Sequence, residues 1–204
     1  MGRFAAFLLA LCCIPCAAAA DPSCFTSPLP NVAPSKAGNP EPACEVLAKV
    51  LETAAAPDTS WVPGQIVNAA LKLSEGGFAT DTFVLQFRVT PAFSAAFTSG
   101  GDELVRLSSS DAVARTGSWW VPKEFVTDSA GRWLPASAIE DMLALPQGSK
   151  LNIVAYSGAI DTGTFGYVGI AAPAFNHRGG SIQFWFPREP VYTKDTSEPT
   201  GTAR

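Results

Sequence analysis

The chain predicts an α+β domain with a largely antiparallel sheet. Two stretches near its start repeat apolar residues at helical spacing, later stretches alternate apolar and polar residues with a period of two, and turn-forming residues separate them. Helices come first and strands follow. That order favours antiparallel pairing over the alternating units that build a parallel sheet.

In chain order, Arg3, the apolar run from Phe4 to Ile14 and then Ala18-x-Ala20 read as a secretory leader cleaved near Ala20. The run is too short to span a bilayer as a helix. Cys12, Cys13 and Cys16 leave with the leader, so the exported chain keeps Cys24 and Cys44, most simply as a disulfide. The bridge closes a Pro-rich segment within residues 21–79. "CEVLAKVLETAAA" (44–56) is the first helix, with Val46, Leu47, Val50 and Leu51 as its apolar positions. "PGQIVNAALKLSEGG" (63–77) is the second, opened by Pro63 and closed at Gly76.

"DTFVLQFRVTP" then sets Phe83, Leu85, Phe87 and Val89 on one strand face and Gln86 and Arg88 on the other. A loop-rich stretch containing "RTGSWWVPKEF" follows. It is interrupted by a helix at "LPASAIEDMLALP", where Ser137 and Glu140 have capping-box spacing and Ile139, Met142 and Leu143 form the stripe. "KLNIVAYSG", "FGYVGIAAP" and "SIQFWFP" are three further strands, and residues 188–204 are a polar tail.

Composition excludes some chemistry. With 14 basic and 18 acidic residues the net charge is −4, which argues against a nucleic-acid partner bound by bulk charge. His177 is the only histidine, so no Ser-His-Asp or Cys-His system and no histidine-based metal centre is expected. No phosphate-cradling glycine motif follows a strand. What remains is polar residues on strands: Arg88, and the face of "SIQFWFP" that carries Ser181, Gln183 and Trp185 opposite Ile182, Phe184 and Phe186. Arg88 is read as a solvated strand arginine or a ligand contact. Gln183 is read as a cap on a neighbouring backbone group or as a cleft residue beside Trp185.

The blocks "LQFRV", "TGSWW" and "MLALP", and above all "GIAAPAFNHRGGSIQFWF", give residues 80–187 a resemblance to bacterial polymorphic-toxin C-terminal domains and to NAD glycohydrolases of the tuberculosis-necrotizing-toxin type. The specific part is Gly169, Ala172, Pro173, Phe175, Gly179, Gly180, Gln183 and Phe184. The resemblance implies a reduced ADP-ribosyltransferase-like fold with a split antiparallel sheet. It also implies NAD or NADP as substrate, no resident cofactor or metal, and a proteinaceous immunity inhibitor as partner. In that frame Gln183 contacts the ribose, Arg88 pairs with the pyrophosphate and Ser118 supports the nicotinamide side. Trp119, Trp120 or Trp185 stacks on a ring, and Phe175, Phe184, Gly179 and Gly180 complete the pocket. A neutral amide hydrogen-bonds a ribose but cannot act as a base, so glutamine favours water as acceptor. That family places a histidine between its arginine and glutamine, whereas here His177 comes only six residues before Gln183. Ser118 or Trp119 takes the middle place, or the branch works differently. Rival expectations are an ADP-ribosyltransferase acting on a macromolecule, and a secreted β-rich module whose exposed Trp residues bind sugar or a surface.

Overall fold

The computed structural model describes residues 23–26, 42–55, 58–73, 76–98, 103–107, 118–145, 156–157 and 160–187. The leader, most of the Pro-rich segment, the first part of "KLNIVAYSG" and the tail lie outside the described residues. No helix among the described residues is long and apolar enough to cross a membrane.

Among the described residues seven strands form one antiparallel sheet: β1 (Ser60–Pro63), β2 (Phe83–Arg88), β3 (Leu104–Arg106), β4 (Trp119–Pro122), β5 (Tyr156–Ser157), β6 (Phe165–Ile170) and β7 (Ile182–Trp185). Their order is β1-β2-β6-β7-β4-β3-β5, with every neighbouring pair antiparallel. The class is therefore α+β. The ladder passes from β7 to β3 through successive halves of β4, Trp119 and Trp120 pairing with β7 and Val121 and Pro122 with β3.

Register fixes what each face carries. Leu85 lies opposite Val168, Val168 opposite Phe184, and Phe184 opposite Trp120. These residues and Phe87, Ile170, Ile182 and Phe186 turn to one side, where α1 (Pro42–Thr53) and α3 (Pro91–Ala96) cover them. Val46, Leu47 and Val50 of α1 are fully buried there, each contributing about 2 kcal/mol of apolar burial. Phe87, Phe93, Phe97, Phe184 and Phe186 form a ring cluster with centroids 4.5–6.3 Å apart. Gly166 makes room for it, because a Cβ there would lie 2.4 Å from the Phe186 ring.

The opposite face is covered by two smaller patches. Val67 of α2 (Gly64–Ala70) packs with Phe78 and Val84, and Ile139 of α4 (Ala136–Leu143) packs with Val105, Val121 and Val126.

Several expectations change in detail. The second helix stops at Ala70, not Gly76. Lys72 turns left-handed (φ 55°), and its N–H and that of Leu73 close onto Ala69 and Asn68. In α4, Pro135 occupies the N-cap and no side chain caps the end, so Ser137 and Glu140 form no capping box. The apolar stripe Ile139, Met142 and Leu143 does face a core. The stretch read as loop holds α3, β3 and β4, and β1 was hidden inside the start of the second helical pattern.

Cys24 and Cys44 are bonded, 20 residues apart. The bridge docks Phe25, fully buried and edge-on to Trp61 at 6.2 Å, against α1. Replacing both cysteines by alanine is expected to lower stability by about 3 kcal/mol, measured by urea unfolding, because the open loop returns its entropy to the unfolded chain.

Candidate functional site

A cavity of about 290 Å³ opens on the second face of the sheet, between the α2 patch and the α4 patch. Its floor is Val105, Leu107, Trp119, Trp120, Val121 and Gln183; its sides are Gly76 and Gly77 after α2, Leu143 to Leu145 at the end of α4, and Phe175. The α4 side is shaped by its terminus. Ala144 is left-handed, and the N–H groups of Ala144 and Leu145 close onto Asp141 and Glu140, which turns the chain sharply there.

Gln183 is the one polar side chain among the described residues of this lining. It is 6% exposed, and its Nε2 donates to the Gly77 carbonyl at 2.7 Å. The same carbonyl accepts from the Ala172 N–H at 2.9 Å. Gly77 is positioned in turn by its neighbour Phe78, whose N–H and C=O both bond the amide of Asn68 on α2, at 2.9 and 2.7 Å. With Nε2 engaged, the Gln183 Oε1 has no protein partner among the described residues, so a hydrogen-bond acceptor stands at the wall of an apolar, aromatic cavity. Capping a backbone group and lining a cleft are both true of this glutamine.

The other expected site residues are dispersed. Trp119 lies on the cavity face, edge-on to Phe78 at 5.1 Å. Trp120 also borders the cavity, but it is 2% exposed and its indole sits in the main core under the Arg106 guanidinium, so Trp119 is the tryptophan whose ring stands on the cavity face. Trp185 shares the face of Gln183 but packs on Tyr167 at 5.7 Å, away from the lining. Phe184 is wholly buried in the ring cluster, which corrects its assignment to the pocket; alternation along β7 sends it to the other face. Gly179 and Gly180 take positive φ and shape the return into β7 without lining the cavity. A Cβ on Gly179 would meet the Ala171 carbonyl at 2.5 Å. Ser118 anchors the β4–β7 edge, its carbonyl accepting from the Phe186 N–H, and is not among the lining residues.

Arg88 is the main correction. It shares the sheet face of Gln183 but sits about four rungs along and two strands across, roughly 16 Å away by strand geometry. There its Nε bonds Asp58 at 2.7 Å, its Nη1 bonds the Gly163 carbonyl, and its guanidinium lies 4.0 Å from the Phe165 ring centre. A residue's parity gives its face, not its place along the sheet. Of the five Trp residues, Trp120 is buried and Trp61, Trp119, Trp133 and Trp185 are half-buried.

Behind Phe175, the 174–181 segment is strapped to α4. The Asp141 carboxylate accepts from the Arg178 N–H at 3.0 Å and from its guanidinium Nε at 2.6 Å, with His177 Nδ1 at 3.8 Å. The carbonyls of Asp141 and Met142 accept from the N–H groups of Gly179 and Ser181. The Arg178 side chain holds the Asp141 carboxyl below its ordinary pKa. A depressed carboxylate stabilises the fold above its unfolded pKa and loses that contribution as pH falls through the folded one. The Tm of the wild type is therefore expected to drop further on acidification than that of Asp141→Ala, in thermal melts run from neutral into the acidic range.

Fold and site together define an α+β protein with a single-amide, aromatic cavity on one sheet face. Set against protein-family models, curated proteins and solved structures, the chain matches none.

Proposed function

We propose that the chain is a secreted hydrolase that cleaves the nicotinamide–ribose bond of NAD or NADP, with water as acceptor. The observation that carries the reading is the Gln183 amide, pinned by Gly77 at the cavity wall, with no partner for its oxygen among the described residues. The Ala-Pro-x-Phe…Gly-Gly…Gln block supports it, because it supplies Phe175 to the lining, the glycine turn into β7, and Gln183 itself. On this reading the domain is a reduced relative of the ADP-ribosyltransferase fold, and the Cys24–Cys44 bond fits an exported protein.

The reaction needs little more. As the C1′–N bond breaks, its electron pair stays on the nicotinamide nitrogen, which passes from cationic pyridinium to neutral pyridine. The sugar carbon becomes oxocarbenium-like, water bonds to C1′, and one proton goes to solvent. The Gln183 oxygen accepts from a ribose hydroxyl beside that carbon. Trp119 and Phe175 offer π-faces to the pyridinium. At about 290 Å³ the cavity holds the nicotinamide–ribose end, and the pyrophosphate and adenosine lie outside it. Arg88 has no part in this version, since its ion pair with Asp58 and its distance separate it from the reacting bond.

The test is nicotinamide release by the purified exported chain, followed chromatographically, with labelling of added proteins to detect transfer. Turnover to free ADP-ribose is expected. Arg88→Ala is expected to stay within about threefold of the wild type, because nothing it touches borders the cavity. No release from the wild type, or a loss of 100-fold in Arg88→Ala, would overturn the proposed site.

A further inference from the structure

Phe175 holds a backbone conformation that its own side chain disfavours. Ala174 and His177 are bridged by two hydrogen bonds, Ala174 N–H to His177 O at 3.2 Å and His177 N–H to Ala174 O at 2.8 Å. Between them Phe175 and Asn176 have φ of +54° and +65°. Two consecutive positive φ angles between paired residues are the pattern of a type I′ turn, which suits Asn and Gly. Asn176 conforms, whereas a bulky residue at φ > 0 is an outlier. Such strain persists only where the surroundings impose it. Here the strap to α4, with the Asp141 and Met142 carbonyls on Gly179 and Ser181, and the Ala171 carbonyl on Gly180, supplies that constraint.

The ring is not filler for either core. Phe175 belongs to none of the three apolar clusters, is half-buried, and lines the cavity. Its Cε2 would lie 3.8 Å from a Cβ on Gly76, so the ring reaches from the turn to another lining residue.

We infer that Phe175 is the ring-binding wall of the site: the strained turn exists to present its benzyl face to a flat aromatic ligand, which on the hydrolase reading above is the nicotinamide ring. The inference rests on that reading for its substrate. Its expected signature is a separation of stability from binding that a packing role would not give. Phe175→Ala keeps the unfavourable backbone and loses the ring; Phe175→Asn loses the ring but relieves the backbone; Phe175→Tyr keeps both.

The experiment compares Tm, KM and kcat for NAD across these three variants and the wild type, with tryptophan fluorescence titrations of free nicotinamide. The Asn variant is expected to melt about 3 °C above the Ala variant, for left-handed strain relieved in a chain of this size. KM is expected to rise at least ~10-fold in both, with kcat within about threefold, and Tyr is expected to restore KM. An Asn variant melting at or below Ala overturns the strain argument. An active wild type with KM unchanged in Ala and Asn overturns the ring wall and leaves the hydrolase reading standing. A wild type that releases no nicotinamide, and whose fluorescence does not respond to it, overturns both. One inert toward NAD but quenched by nicotinamide, with the quenching lost in Phe175→Ala, upholds the ring wall and overturns the hydrolase alone.

Discussion

Gln183→Ala is expected to lower the rate of nicotinamide release at saturating NAD by about 100-fold, the usual loss when one group poised at the reacting centre is removed. The folded state should barely register the change. The Gln183 side chain donates one hydrogen bond, to the Gly77 carbonyl, and such a bond contributes about 1 kcal/mol net. The Gly77 carbonyl also keeps its second donor, Ala172 N–H. Two further variants locate the effect. Gln183→Glu retains an acceptor but aims a carboxylate at the Gly77 carbonyl with no N–H to donate, so the pinned geometry is lost and turnover falls with it. Gln183→Asn keeps the amide but is one methylene shorter, and a displacement of that size at a reacting centre also costs about 100-fold. Rapid-quench measurement of nicotinamide, beside circular-dichroism melts of each variant, separates loss of chemistry from loss of fold. A Gln183→Ala protein turning over at the wild-type rate would remove this glutamine from the reaction.

What the sequence could and could not convey follows from the same residues. β2, β6 and β7 were legible because their burial repeats along the strand itself. β7 carries the polar side chain of the lining, so its alternation is enough to single out Gln183. Its partner cannot be found that way: Gly77 lies 106 residues earlier, and nothing local to either residue announces the pairing. β4 was lost in a loop reading because it has four residues and ends in proline. β1 was lost because Pro63 is both its last residue and the N-cap of α2, so strand and helix signals overlap at one position. Arg88 shows the limit of periodicity most clearly, since alternation placed it on the correct face and the strand order then carried it far from Gln183. The remaining walls, from Gly76, Leu143, Ala144 and Leu145, come from helix ends whose left-handed turns fall on Lys72 and Ala144 rather than on the glycine that a C-terminus signal relies on.

Phe184→Ala is expected to be the most destabilising single change in β7, at about 4 kcal/mol in urea unfolding, with Tm lower by roughly 12 °C for a chain of this length. Phe184 is fully buried and lies opposite Val168 on β6 and Trp120 on β4. Its ring centre is 5.6–6.3 Å from those of Phe87, Phe93, Phe97 and Phe186. These come from β2, from α3 and its end, and from the chain just past β7, so no one element can move to refill the hole and most of the cavity remains. Phe184→Leu keeps much of the volume and is expected to cost about half as much. The contrast with its neighbour is the sharper test. Gln183 and Phe184 are adjacent in one strand but face opposite sides of the sheet. At a temperature where both variants are folded, Phe184→Ala should keep most of its turnover and lose stability, while Gln183→Ala does the reverse. A Phe184→Ala protein that melts like the wild type but cannot bind NAD would place its ring in the pocket after all, invert the alternation along β7, and move Gln183 off the cavity wall with it.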